Sequence, residues 1–127
     1  MENTDLFIKK IFLNFYEIVD DYLNLFSINK INKIKKISYD CEYGSIQFIE
    51  YFNNSNKIIV HEIYIKEQYR NQGLCKKFIE YLIEKVPKNN KIIIQSVLSK
   101  ILYEYLLRFE YAGKKFILKK EGFCYIK

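Results

Sequence analysis

The chain has 127 residues, of which 50% are hydrophobic and 17% aromatic, and its formal net charge is +6. This length fits one domain spanning residues 1–127, and the apolar content excludes a disordered chain. No apolar run reaches the roughly 18 residues that a transmembrane helix needs, and the acidic N-terminus lacks the features of a secretory signal. We therefore expect a cytoplasmic protein without a membrane partner.

The three cysteines, Cys41, Cys75 and Cys124, are widely spaced, and they form neither a CxxC pair nor a zinc pattern with His61. This spacing favours a reducing, intracellular setting and predicts no metal site. The excess of Lys, Ile, Asn and Tyr is typical of an AT-rich genome, so part of the positive charge reflects composition. A modest basic balance still favours an anionic ligand.

The N-terminal part of the chain has a helical pattern. Residues 5–26 carry apolar side chains at helical spacing, which predicts one or two amphipathic helices. The basic stretch 27–36, SINKINKIKK, fits either a short second helix or a solvated loop.

Three strands are predicted next, at Ile37–Cys41, Gly44–Phe52 and Lys57–Lys66, and the polar stretch Asn53–Asn56 predicts a turn before the third. Because these strands follow one another closely, an antiparallel meander is expected.

The pattern becomes helical again from Gly73, and Pro87 with Asn89–Asn90 ends this helix. The buried-type strand Lys91–Leu98 follows, so strand, helix and strand form a βαβ unit whose strands should be parallel. The remaining elements are a helix, Ile101–Phe109, and two strands, Lys115–Leu118 and Gly122–Ile126. The chain therefore predicts an α/β domain with a mixed sheet.

The turn before the helix reads YRNQG and ends at Gly73, one of only four glycines. Amides at a helix N-terminus lack intrahelical partners, and the helix dipole adds partial positive charge there. A missing Cβ lets an anion approach the backbone, and Arg70 adds a fixed charge beside it. The site suits a phosphate or pyrophosphate, although the spacing is neither that of a Walker loop nor GxGxxG.

The segment 63–75 resembles the acyl-CoA motif of the GNAT family of N-acetyltransferases, which reads roughly L-x-V-x-P-x-Y-R-x-x-G-x-G/A. The matching positions are Ile63, Ile65, Tyr69, Arg70 and Gly73. The sequence departs from the motif at Glu67, where proline is usual, and at Cys75, where glycine or alanine is usual. The element order also resembles that family, except that the sequence shows no first strand.

The resemblance implies a GNAT-type mixed central sheet, with antiparallel N-terminal strands and a parallel βαβ unit, flanked by helices. It implies acetyl-CoA as co-substrate. The pyrophosphate would bind the loop and first helical turn, formed by Arg70, Asn71, Gln72, Gly73, Leu74, Cys75 and Lys76. The pantetheine arm would pair with the backbone of Ile63, Tyr64 and Ile65, and the thioester would lie where the two parallel strands splay apart.

The implied activity is acetyl transfer to a primary amine of a small molecule or protein. Such an amine, with a pKa of about 10.4, is mostly protonated at neutral pH and must lose a proton first. Glu62 is the predicted base or amine anchor, since many family members carry an acid there, and His61 is the alternative. A tyrosine can protonate the departing thiolate. Tyr105, and after it Tyr103, lie in the helix where the family often has one.

Other interpretations stay open. A non-catalytic module would have the same fold and would bind acyl-CoA through the same loop, but it would not catalyse acetyl transfer. An RNA-binding domain is a remote alternative, because Glu42–Tyr51 partly resembles an RNA-recognition signature, but three strands without an intervening helix do not fit that fold. A helix N-terminus lowers the pKa of a thiol and would favour a nucleophilic Cys75, but the sequence has no second histidine as its partner.

Overall fold

The structure, a computed structural model, describes residues 5–28, 34–50, 56–95, 97 and 99–127. Within these ranges the chain forms nine strands, three α-helices and one short 3-10 turn. None of the helices in the described ranges combines the length and the apolar character needed to cross a bilayer.

The elements follow one another in this order: β1 Asp5–Ile11, α1 Phe15–Ile28, β2 Ile34–Cys41, β3 Gly44–Glu50, β4 Lys57–Ile65, the 3-10 turn Glu67–Tyr69, α2 Leu74–Lys85, β5 Lys91–Ile94, α3 Lys100–Arg108, β6 Glu110–Tyr111, β7 Lys114–Lys115, β8 Ile117–Lys119 and β9 Gly122–Ile126. Seven strands form one sheet in the order β1-β2-β3-β4-β5-β9-β8, and β6 pairs with β7. The pairs β1–β2 and β4–β5 are parallel, and the other pairs are antiparallel. The predicted α/β class, antiparallel meander and parallel βαβ unit are confirmed.

Residues 5–11 form a strand, so the helix predicted from their apolar spacing is wrong. This strand pairs in parallel with β2 along its whole length. The helix begins only at Phe15, because Asn14 and Glu17 form a capping box in which each side chain accepts the other's backbone N–H, at 2.9 and 3.1 Å. The chain therefore has a strand before its first helix, which the sequence pattern did not reveal.

Two predicted strands have different bounds in the structure. The end of the basic stretch 27–36 is neither helix nor loop, because β2 already begins at Ile34. β5 ends at Ile94, which is the last of its residues in register with both β4 and β9. The predicted positions 29–33, 51–55, 96 and 98 lie outside the described residues.

The predicted strand Lys115–Leu118 is divided into two short strands, β7 and β8. Phe116 lies between them, and its side chain is buried in the main core. The residues on either side of Phe116 belong to different sheets, because β7 pairs with β6 and β8 pairs with β9.

The main core lies between the helices and one face of the sheet. It is formed by α1 residues Ile18 and Tyr22, α2 residues Phe78 and Leu82, α3 residue Leu106 and sheet residues such as Ile46, Phe48, Ile58, Val60 and Ile92. Aromatic pairs join the layers: Tyr22 stacks on Phe48 at 3.8 Å between ring centroids, and Phe15 meets Phe78 edge-on at 5.9 Å. These contacts join α1 to β3 of the sheet and to the first half of α2.

Candidate functional site

β4 extends beyond the end of its parallel neighbour β5, and the space beside this later part of β4, residues 61–65, is called the gap. Pairing of β4 with β5 ends where Val60 lies opposite Ile94, and one further bond joins the Gln95 N–H to the Val60 carbonyl at 2.8 Å. β4 continues to Ile65, paired on its other side with β3. Beyond Val60, one backbone edge of β4 is therefore not occupied by β5.

A β-bulge at the mouth of this gap changes which face the later residues of β4 occupy. The register with β3 shifts between Gln47 and Phe48, which leaves His61 as the additional residue. Val60 and Ile63 consequently both pack against the main core, although they are three positions apart. Simple alternation from Val60 would have placed Ile63 on the opposite face.

Glu62 and Tyr64 lie on the outer face of the sheet, away from the main core. Glu62 is exposed, and its carboxylate makes no hydrogen bond or ion pair within the described ranges. Tyr64 is 48% exposed, and the guanidinium carbon of Arg70 lies 5.6 Å from the centre of its ring. The structure thus leaves the carboxylate of the predicted base accessible beside the gap.

His61, the alternative base, contacts a side chain on the other side of the gap. Its Nδ1 lies 3.3 Å from the side-chain oxygen Oε1 of Gln95, which follows β5. Sequence reasoning did not identify Gln95, and its distance in sequence from His61 gives no signal of the contact.

The loop before α2 has the backbone expected of an anion site. Asn71 and Gly73 have positive φ angles of 65° and 75°. A Cβ added to Gly73 would meet no atom within 4 Å, so the space beside it is open. Gly73 is also the N-cap residue, and no side chain caps the first amides of α2. These amides are therefore available to an external acceptor.

Two side chains hold this loop in place. Arg70 Nε donates to the Ile65 carbonyl at 2.8 Å. The Tyr69 hydroxyl donates to Glu42 Oε2 at 3.0 Å, and its ring packs edge-on against Tyr43 with centroids 4.8 Å apart. The hydrogen bond to the Glu42 carboxylate raises the pKa of Tyr69. The loop is therefore anchored to the turn between β2 and β3.

Tyr105 lies in the helical layer and faces the first turns of α2. Its hydroxyl is buried and has no hydrogen-bond partner in the part of the chain that the structure describes. Burial, together with the nearby Cys75 and Glu80, raises the pKa of Tyr105. The phenol therefore keeps its proton at neutral pH, as a general acid must.

Tyr103 and Cys75 have different environments from Tyr105. Tyr103 is 37% exposed, and its ring packs edge-on against Phe123 at 5.2 Å. Burial raises the pKa of the Cys75 thiol to about 12. The thiol therefore keeps its proton at neutral pH, which argues against Cys75 as a thiolate nucleophile.

The structure brings most of the predicted cofactor residues to one place. Arg70, Asn71, Gln72, Gly73 and Lys76 are exposed around the start of α2, and Leu74 and Cys75 are half-buried beneath them. Ile63, Tyr64 and Ile65 form the adjoining end of β4. The predicted catalytic residues are separated, because Glu62 lies on the outer face and Tyr105 in the helical layer.

Comparisons with known protein families, characterised proteins and solved structures find no match for this chain. The resemblance to the GNAT family therefore rests on the loop motif and on the order of the elements.

A separate shallow cavity of about 250 Å³ lies between the starts of α1 and α2. It is lined mainly by apolar and aromatic side chains: Asn14, Phe15, Tyr16, Tyr43, Leu74, Lys77 and Phe78. Lys77 and Phe78 face this cavity, whereas Cys75 of the same helix lies near Tyr105. Leu74 also lines the cavity, so the cavity borders the first turn of α2.

Proposed function

We propose that this protein is an acetyl-CoA-dependent N-acetyltransferase of the GNAT type, which transfers an acetyl group to a primary amine. The observation that carries the proposal is the edge of β4 beyond Val60, which β5 leaves unoccupied and which leads directly into the loop 66–73. The amide groups of pantetheine can hydrogen-bond to such an edge as an added strand would. The pyrophosphate suits the uncapped amides of α2.

The order of elements supports the GNAT arrangement. A first strand, a helix, three antiparallel strands and a parallel βαβ unit follow one another, with β9 inserted between β5 and β8. Within the βαβ unit, β5 pairs with β4 over its whole length and ends at Ile94, and the later part of β4 borders the gap in which a thioester would lie.

The placement of the side chains supports a transfer across the sheet. The amine enters from the outer face, and Glu62 takes a proton from its ammonium group directly or through water. The neutral nitrogen attacks the thioester carbonyl, a C–N bond forms, and the C–S bond breaks. Tyr105, in the helical layer, donates its proton to the departing thiolate and leaves CoA as a thiol. The other proton on nitrogen is lost to solvent, and the phenol is reprotonated from solvent.

A second candidate is a non-catalytic module that binds acyl-CoA. The observation that favours it is the separation of the two predicted catalytic groups, because the Tyr105 hydroxyl is buried against α2 and Glu62 lies on the outer face. The edge of β4 and the loop would still bind the cofactor in such a protein.

Acetyl-CoA is expected to stabilise the fold. At a concentration about 100-fold above its dissociation constant it should add about 2.7 kcal/mol to the free energy of unfolding, which raises the melting temperature by roughly 10 °C. A thermal-shift assay measures this, with S-acetylpantetheine, which lacks the pyrophosphate, as the weaker-binding control. An unchanged melting temperature at millimolar acetyl-CoA would contradict the proposal. A larger, salt-sensitive shift with an RNA oligomer would support the RNA-binding alternative instead.

A further inference from the structure

Four side chains form a regular array on the outer face beside the gap. In the antiparallel pair of β3 and β4, Ser45 lies opposite Tyr64 and Gln47 lies opposite Glu62. Opposite residues share a face with Cβ atoms about 5 Å apart, and alternate residues along a strand are about 7 Å apart. These four residues, the outer-face tetrad, thus occupy the corners of a rectangle about 5 by 7 Å.

The polar groups of the tetrad are available to a ligand. The side chains of Ser45, Gln47 and Glu62 make no hydrogen bonds with any residue that the structure describes. Ser45 and Gln47 are half-buried, whereas Glu62 and Tyr64 are exposed. The tetrad therefore offers a carboxylate, a hydroxyl, an amide and an aromatic ring on one accessible surface.

The charges around the tetrad favour a ligand with one positive charge. Glu62 supplies the single carboxylate of the tetrad, and its side chain is exposed. The corner at Tyr64 is different, because the Arg70 guanidinium lies over that ring. An ammonium group is attracted at Glu62, while a second one reaching past Tyr64 is repelled by Arg70.

We propose that the outer-face tetrad binds the acceptor, and that the acceptor is a compact, hydroxylated amine with one positive charge, of the chemistry and size of a single amino sugar. This inference rests on the proposed function. The ammonium group pairs with Glu62, where its proton is removed. Hydroxyl groups exchange hydrogen bonds with Ser45 and Gln47, and the apolar C–H face of the ring packs on Tyr64.

Two other amine classes fit the tetrad poorly. An apolar aromatic amine would cover Ser45 and Gln47 without satisfying their hydrogen bonds, which costs binding free energy. A polyamine such as spermidine would extend beyond the rectangle and bring a further positive charge toward Arg70. The affinity of the tetrad for an amine should therefore depend on the amine's hydroxyl groups and on its number of positive charges.

Rates of thiol release from acetyl-CoA with glucosamine, phenethylamine and spermidine test the inference. We expect glucosamine to have a kcat/KM at least about tenfold above that of the other two amines. Ser45→Ala and Gln47→Leu should each raise the KM for glucosamine by roughly three- to tenfold and leave the dissociation constant of acetyl-CoA unchanged. Lys36→Gln is the matched control, because Lys36 is exposed on the same face but lies opposite Ile49, away from the gap.

Preference for phenethylamine or spermidine would overturn the inference while leaving acetyl transfer intact. A KM for glucosamine that neither variant changes would overturn it as well. Acetyl-CoA binding without acetylation of glucosamine would also overturn it.

A second measurement separates this inference from the proposed function. Glucosamine alone, titrated into ¹⁵N-labelled protein, should shift the amide resonances of the tetrad more than those around Lys36. If acetyl-CoA fails to bind, the transferase proposal is lost, but shifts at the tetrad would still support the amino-sugar site. Shifts confined to other residues, or no shifts, would overturn the proposal that the tetrad binds an amino sugar.

Discussion

Gly73→Glu is expected to abolish acetyl-CoA binding and leave the protein folded. The φ angle of Gly73 is 75°, so any other residue there is strained by about 1–2 kcal/mol, but the open space beside it prevents a clash. The new carboxylate would lie where the amides of α2 are available to the pyrophosphate, and like-charge repulsion would exclude it. Isothermal calorimetry with acetyl-CoA measures the loss.

The chain offers a closely matched control for this substitution. Gly113, in the turn between β6 and β7, has a φ angle of 77° and equally open surroundings. Gly113→Glu therefore introduces the same strain and charge at a distance from the loop, and should bind acetyl-CoA like the wild type. Arg70→Ala should weaken binding less than Gly73→Glu, because the backbone amides remain. Wild-type affinity of Gly73→Glu would show that the anion site is elsewhere.

Glu62→Gln is expected to separate catalysis from cofactor binding. The substitution keeps the size and polarity of the side chain but removes its ability to accept a proton. Turnover should fall by roughly 10²–10⁴-fold while the affinity for acetyl-CoA is retained. The loss should shrink as the pH rises toward the pKa of the acceptor amine, because a larger fraction of the amine is then already neutral. Steady-state rates of thiol release across the pH range measure both effects.

The kinetic constants distinguish the possible roles of Glu62. If the carboxylate only anchors the ammonium group, the KM for the amine should rise and turnover at saturation should survive. Glu104→Gln, an exposed position on α3, provides the control and should behave like the wild type. Wild-type constants for Glu62→Gln at every pH would remove Glu62 from the site and make His61 the next candidate. Binding of acetyl-CoA without acetylation of any amine would favour the non-catalytic module.

Local patterns predicted the elements near the loop well. The apolar period and Pro87 marked α2, and the turn signals marked the strands, because each depends on neighbouring residues. The same local reasoning was wrong for residues 5–11. Their apolar residues fit a helix, but pairing along β2 makes the segment a strand, and a pairing partner more than 25 residues away leaves no local pattern.

The candidate site was only partly visible in the sequence. The motif indicated Arg70 and Gly73, whose proposed roles depend on backbone geometry and charge within a few residues. The bulge at His61 was not predictable, because it arises from the register between β3 and β4. This bulge places the Glu62 side chain on the outer face of the sheet. The contact between Tyr69 and Glu42 joins positions 27 residues apart and was likewise hidden.

A crystal structure with acetyl-CoA would show directly where the cofactor binds. We expect the pantetheine arm to lie along β4 and to hydrogen-bond to the backbone of 63–65, in the gap beyond the end of β5. We also expect the pyrophosphate to contact the amides of 70–76 and the thioester to lie between Glu62 and Tyr105. Acetyl-CoA bound in the cavity between α1 and α2, or anywhere that leaves the edge of β4 unoccupied, would show that the proposed function is wrong.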